Sequence, residues 1–420
     1  MDMHRLVSVF GILVFIGLAW LMSSNKRRFP WRVVIGGLIL QFSFAAVILL
    51  TQPGTAFFRG VNTVFVSLLD SVDEGAEFVF GEDFAEHFFA FRILPTIIFF
   101  SAFMSIFYYY GIMQKVVGLL AVVMQKTLGT SGAETLSAAA NIFVGQTEAP
   151  LVIRPYIGSM TISELNAVMV GGFATMAGGV LGGLAAMGFD AGHLLSASVI
   201  SAPGALLLAK VMQPEIDQPK TMGHVTLDVE DKSVNVLETI ANGTIGGLQL
   251  ALNVGAMLIV FLALIAVLNS VLAVAGDGFW WAADRIGFET SESPAPWSLE
   301  GALGRLFAPL AWLIGIEWND CARAGELMGL KMATNEFVAY IRLASWEAAD
   351  STVQISERSR AILTYAWCGF ANFSSIGIQL GGIGGMAPER RGDLARLGLR
   401  AMLGGTLAAF ITAAIASLML

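Results

Sequence analysis

Charge is scarce in this chain, and so are cysteine and histidine. Asp, Glu, Lys and Arg make up 13% of the 420 residues, against 56% hydrophobic. A soluble globular chain carries nearer a quarter charged residues, and one this apolar would have no surface left to give to water. Two cysteines, Cys321 and Cys368, imply no disulfide framework. Four histidines (His4, His87, His193 and His224) lie far apart, and none has metal-ligand spacing. The net charge of −8 is spread thinly and argues against nucleic acid as a partner. No His pair, Ser–Lys constellation or Asp pair stands at a spacing that an intramembrane enzyme would need, so the chain does not read as an enzyme.

Long apolar runs are what the sequence has instead. The first, residues 6–22, is followed by Ser23-Ser24-Asn25-Lys26-Arg27-Arg28. A signal peptide carries its basic residues before the apolar core. The reversed order reads as a retained span whose C-terminal end is cytoplasmic. Further runs of roughly 20 residues, enough to cross ~30 Å of hydrocarbon, fall near 33–51, 91–111, 160–186, 189–212, 246–274, 358–384 and 395–418. Eight crossings leave both termini outside. Lys26, Arg27, Arg28 and Arg32 then lie inside with Arg390, Arg391, Arg396 and Arg400, and the acidic stretch from Asp70 to Glu86 lies outside. Arg358 and Arg360 at the outer side do not fit. Residues 112–127, with Lys115 and Lys126, suit an amphipathic helix on the inner interface, and 213–240 reads as an inner loop.

Two polar, interrupted segments, 131–157 and 303–345, read as re-entrant helical hairpins, the first entering from inside and the second from outside. Irregular backbone at membrane depth survives only where it is buried in protein or lines a cavity. Each is followed by Ser-Glu (Ser163-Glu164, Ser356-Glu357) and then by Gly-Phe-Ala (Gly172-Phe173-Ala174, Gly369-Phe370-Ala371). The expected fold is therefore an all-α integral membrane protein with eight spans, two opposed hairpins and an interfacial helix, arranged as an inverted repeat. Its divisions are 1–111, N-terminal scaffold spans; 112–212, the first transport half; 213–302, inner loop, long scaffold span and outer loop; and 303–420, the second transport half.

The chemistry gathers at the interruptions. Residues 141–150 run Asn-Ile-Phe-Val-Gly-Gln-Thr-Glu-Ala-Pro. A carboxylate at mid-membrane costs roughly 2.5–3.5 kcal/mol even on the lenient scale, so Glu148 calls for a partner or a ligand. Pairing with Arg154 would answer that need, but would not require the neighbouring Gln146 and Thr147. Asn335-Glu336 sits before the apolar Phe337-Val338-Ala339, which favours burial over a solvated tip. Asn372 and Ser375, three apart, share a helix face; interhelical glue reads equally from those two residues alone. Thr175 at the other Gly-Phe-Ala break suits a hard cation, and tight packing of small residues accounts for that stretch equally well. The near absence of Arg, Lys and His from the proposed cavity favours a neutral substrate rich in OH and NH groups. It disfavours a carboxylate-bearing solute. A channel would also tolerate broken helices, but two acidic clusters would bind a hydroxylated solute too tightly for fast conduction.

At residues 141–150, 335–340 and 369–377, in this order, the chain resembles the concentrative nucleoside transporter family. The resemblance extends through most of residues 90–420. It implies a sodium-coupled importer of nucleosides, multi-pass in the bacterial inner membrane, assembled as a homotrimer. It also implies elevator-type alternating access, the hairpins and broken helices moving as a block past a fixed scaffold. Carried over position by position, Gln146, Thr147 and Glu148 would contact the nucleobase and Val180 would line that end. Glu336, Asn372 and Ser375 would hold the ribose hydroxyls, and Phe370 would pack against the nucleoside. Sodium would take the side chains of Asn141 and Thr175 with the carbonyls of Val144 and Met176. Thr175 and Met176 stand where sodium-coupled members commonly have Ser and often Ile. The hydroxyl is retained, and a carbonyl ligand is indifferent to its side chain. Proton coupling is the alternative for the driving ion. No cofactor is implied beyond the coupling ion.

Overall fold

The computed structural model describes residues 3–222, 233–286, 297–346 and 355–420, and no strand occurs among them. The apolar runs set the first helices, α1 (Met3–Leu21) and α2 (Trp31–Leu50). Thr51 ends α2 and caps α3 (Gln52–Phe80): its hydroxyl accepts from the Gly54 N–H at 3.1 Å and donates to the Val47 carbonyl at 2.6 Å. This helix covers much of the acidic stretch expected to be an outer loop. Leu69, Val72 and Ala76 form its buried face, and Asp73 pairs with Arg92 at 2.7 Å. So many acids hide an amphipathic helix from a search for apolar runs.

A π turn leads into α4 (Leu94–Tyr109). The expected interfacial helix is α5 (Ile112–Leu128), bounded by Gly111 and Gly129, both left-handed at φ 71°. Next, α6 (Gly132–Ala140) stops at Asn141, residues 141–148 are non-helical, and a 3₁₀ turn with Pro150 near its start leads into α7 (Arg154–Ile157). One run is then broken at 175–177 into α8 (Ile162–Ala174) and α9 (Gly178–Ala186), and α10 (Ala191–Met212) follows. Residues 223–232, inside the inner loop expected over 213–240, lie outside the described residues.

The 50-residue α11 (Val236–Arg285) is roughly 75 Å long at ~1.5 Å per residue, well beyond the ~30 Å hydrocarbon layer. After it come α12 (Leu299–Leu313), α13 (Trp318–Ala333) and α14 (Glu336–Trp346). The segment expected as one hairpin over 303–345 thus includes a separate helix, α12, packed along α13. A glycine is required between them: Gly315 has φ 91°, and a Cβ there would strike the hydroxyls of Ser8 and Ser417. The last elements are α15 (Glu357–Ala366), α16 (Phe373–Met386) and α17 (Arg391–Met419).

Among the described residues, seven helical runs are long and apolar enough to cross a membrane, counting α8 with α9. The eighth expected crossing, near 358–384, is the α15–α16 pair, and the non-helical residues 367–372 leave each half too short to span alone. The order of elements recurs. An α4–α5–α6 series with its broken arm, then α8/α9 and α10, is matched by α11, α12, α13/α14, α15/α16 and α17. In the interior, α10 packs on α2, α8 and α17, and α17 also meets α1 and α15, while α4 packs on α11 and α9. The broken run α8/α9, α10 and the C-terminal part of α17 are largely buried, and α11 is largely exposed. Arg358, which fits no inner loop, donates to the carbonyls of Gly315 at 2.7 Å and Ser417 at 2.9 Å, and Arg360 lies 5.4 Å over the Phe189 ring. Both are held by the protein, so neither reports on orientation.

Candidate functional site

The two helix breaks meet. Gly369, at φ 98°, brings the 367–372 break against the 175–177 break so closely that a Cβ would overlap the Phe173 carbonyl and crowd the Thr175 nitrogen. Around this crossing the α6–α7 and α13–α14 interruptions converge on one cavity of about 370 Å³, within the range of small-molecule sites. Gln146, Thr147, Glu148 and Val180 border it, as do Glu336, Phe370, Asn372 and Ser375. All eight residues expected to touch a ligand line this one space.

Glu148 is exposed to the cavity, and no ion pair joins it to Arg154, which is itself exposed, among the described residues. Its carboxylate folds over Gly145, where a Cβ would collide with Oε2. A second cavity of about 470 Å³, lined by Tyr108, Gln114 and Asn242, shares Gly145, Glu148 and Gly246 with the first. Glu148 therefore borders both spaces.

Backbone geometry fixes the Glu336 side. Asn335 Oδ1 accepts from the Val338 N–H at 3.1 Å, starting α14 with Glu336 buried in its first turn. Asn372 caps α16: its Oδ1 accepts from the Ser375 N–H at 2.9 Å and from Ser374 Oγ at 2.7 Å. A backbone N–H can only donate, so that atom must be oxygen and the Asn372 NH₂ faces away from it. The NH₂ donates to Glu336 Oε2 at 3.2 Å, leaving carboxylate lone pairs to meet hydroxyl donors.

Several lining residues escaped the sequence reading. Gln249 and Asn253, on α11, wall the cavity with Val254 and Met257. Their signal was available: two amides four apart share a face within residues 245–268, a stretch of α11 that is otherwise apolar. Ser374 also borders the space. Lys331 is buried on α13, close enough to Glu336 to attract it, though it does not line the cavity. No Arg, Lys or His lines the cavity among the described residues.

The expected cation set lies beside the cavity. Asn141 is fully buried, and neither polar atom of its amide has a partner among the described residues. It approaches Gly171, where a Cβ would stand 3.3 Å from Asn141 Nδ2. The Thr175 hydroxyl donates to the same Gly171 carbonyl at 2.9 Å, so its lone pairs remain free. The buried Met176 ends the α8 break, with its N–H held by Ser198 Oγ at 3.2 Å, and Val144 borders the second cavity. Neutral oxygens without a carboxylate suit a hard monovalent cation. No cluster of His, Cys, Asp or Glu able to hold a metal occurs among the described residues.

Three family models match the chain: "Na+ dependent nucleoside transporter N-terminus" over residues 10–83, "Nucleoside recognition" over 90–189 and "Na+ dependent nucleoside transporter C-terminus" over 193–417. An uncharacterized transporter of Haemophilus influenzae is 45% identical over 99% of this chain and 98% of its own length. The sodium/nucleoside cotransporter 1 of Mus musculus is 40% identical over 99% of this chain, which spans 64% of that longer protein. Among solved structures, CNTnw in an inward-facing substrate-bound state superposes with a TM-score of 0.89 at 40% identity, covering 99% of this chain and 98% of that one. A CNTnw variant in an outward-facing state gives 0.88 at 40% identity, covering 100% and 98%. These relatives are transporters, and this multi-pass membrane protein belongs to the sodium-dependent nucleoside transporter family.

Proposed function

We propose that the protein imports nucleosides by sodium symport. The observation that carries this reading is the cavity itself: amides, hydroxyls and two carboxylates around about 370 Å³, with no lining cation among the described residues. Such a lining suits a neutral solute with hydroxyls at one end and a hydrogen-bonding ring at the other. Glu336 and Asn372 hold the ribose hydroxyls, through charge-assisted bonds worth about 1.5–3 kcal/mol each. Ser375 completes that end, and Phe370 packs on the nucleoside. Gln146, Thr147 and Glu148 meet the base beside Val180. Sodium sits between Asn141 and Thr175, with the Val144 and Met176 carbonyls.

In this reading the interruptions over 131–157 and at α13–α14 are re-entrant, and the halves 112–212 and 303–420 are inverted repeats. Their hairpins and broken helices ride as one block past the wall made by α4 and α11, an elevator form of alternating access. Exposed apolar residues of α11, among them Ile259, Val267 and Val271, face lipid and the other subunits of a homotrimer. The driving force is adequate. One charge crossing 100 mV supplies about 2.3 kcal/mol, which at about 1.4 kcal/mol per tenfold concentrates a neutral solute roughly 50-fold.

The test is uptake of labelled uridine into proteoliposomes under an inward sodium gradient, then with choline substituted at constant pH. Sodium-driven uptake that Glu336→Gln abolishes is the expected result. Uptake that ignores sodium and follows a proton gradient overturns the ion assignment alone. Folded protein that carries neither uridine nor adenosine under either gradient overturns the substrate class.

A further inference from the structure

One buried amide in α16 has no place in the function described so far. Gln379 is fully buried and does not line the cavity, yet its Nε2 donates to Gln146 Oε1 at 3.0 Å and to the Met169 carbonyl at 3.1 Å. The Met169 carbonyl is an acceptor and nothing else. Nitrogen must therefore be the Gln379 atom that faces α8. That same nitrogen meets Gln146, whose contacting atom must then be its oxygen. With the oxygen held, the Gln146 NH₂ is the end left for the cavity.

The local backbone is shaped for this meeting. A Cβ at Gly172 would stand 2.8 Å from both Gln146 Cβ and Gln379 Nε2. Any side chain there would part the two amides. Gln146 is itself buried, and it lines the cavity that Gln379 does not reach.

We propose that Gln379 is a positioning residue that fixes the hydrogen-bond polarity of Gln146, so that the cavity selects nucleobases presenting an oxo acceptor to it. The inference rests on the nucleoside reading. A glutamine free to rotate serves an oxo or an amino substituent equally, because its two ends are nearly the same shape. A glutamine held from behind serves only one. An amino group brought to the fixed NH₂ sets donor against donor and leaves both unpaired in a buried site, a loss of about tenfold in affinity.

The experiment measures competition against labelled uridine in proteoliposomes by cytidine, which replaces the 4-oxo group with an amine, and isocytidine, which replaces the 2-oxo group. Both change the ring N3–H as well, so the comparison is repeated in Gln379→Leu and Gln379→Met, which keep the volume and remove the lock. In the wild type, at least one analogue should bind about tenfold more weakly than uridine. In either variant that ratio should fall to within about twofold, while a loss that originates at N3 stays. Equal binding of all three by the wild type overturns the proposal without any variant. So does a ratio unchanged in a folded variant, since a merely structural role would weaken all three ligands in parallel. Wild-type protein that takes up no nucleoside overturns the nucleoside reading, and this inference with it.

Discussion

At the scale of single residues, Asn372 carries two duties that substitution can separate. Its oxygen caps α16 and its NH₂ supports Glu336. Serine caps helices about as well as asparagine does, and alanine forfeits a cap worth about 1 kcal/mol. Asn372→Ser should therefore keep the cap while withdrawing the NH₂ from Glu336. Uridine uptake should fall about tenfold in that variant, with a melting temperature in detergent nearer the wild type's than that of Asn372→Ala. Asn372→Ala should lower both uptake and stability. Equal loss of stability in the two variants would sink this division of duties. Asn372 was legible in the sequence only in company: alone it reads equally as interhelical glue, and the two carboxylates at the other interruptions tip it towards a ligand pocket. Gln379 was not, because an isolated amide in an apolar helix reads as packing until its partner 233 residues away is known.

Among the elements, the foot of α6 is fastened by buried charge. Lys210 of α10 lies 2.7 Å from Glu134 and 3.1 Å from Glu215, and donates to Ser163 Oγ at 2.9 Å. Glu134 also accepts from the Ser131 N–H at 2.7 Å, and Glu164 accepts from the hydroxyls of Ser131 and Thr221. Lys210 and Glu134 are both nearly inaccessible, so removing the cation leaves a carboxylate without compensation. Lys210→Met should destabilise the protein by roughly 3–5 kcal/mol. Adding Glu134→Gln should restore part of it, a coupling that thermal unfolding of the single and double variants would read directly. A double variant no more stable than Lys210→Met would refute the pairing as the cause. None of this network was visible beforehand, because Lys210 looks like the ordinary inner end of a span. The apolar spans themselves were legible to within a few residues, except that α11 extends well beyond both ends of the apolar run at 246–274. Element type failed where composition and role diverge: acidic α3 read as a loop, and α12 merged with α13 because both stretches mix apolar and polar residues.

Across the whole molecule, one short stretch serves both ligands. Residues 141–148 carry Asn141 and Val144 of the proposed cation set, then Gln146, Thr147 and Glu148 at the cavity, without an intervening helix. The amide of Asn141 has no partner among the described residues, which leaves that end of the stretch open to a ligand. Sodium bound there would order the loop before the nucleoside arrives, and the second ligand would bear less of the ordering cost. Coupling of this kind is reciprocal: whatever factor sodium adds to nucleoside affinity, nucleoside adds to sodium affinity. Calorimetric titration of uridine at rising sodium should show affinity increasing by about tenfold or more. Titration of sodium at saturating uridine should show the same factor. Asn141→Ala should bind uridine at the weak, sodium-free level at every sodium concentration, because the loop keeps its base-contacting residues and loses the ion that orders them. Uridine affinity independent of sodium in the wild type would show that the shared stretch transmits nothing, and that any coupling arises later, in the movement of the loaded block.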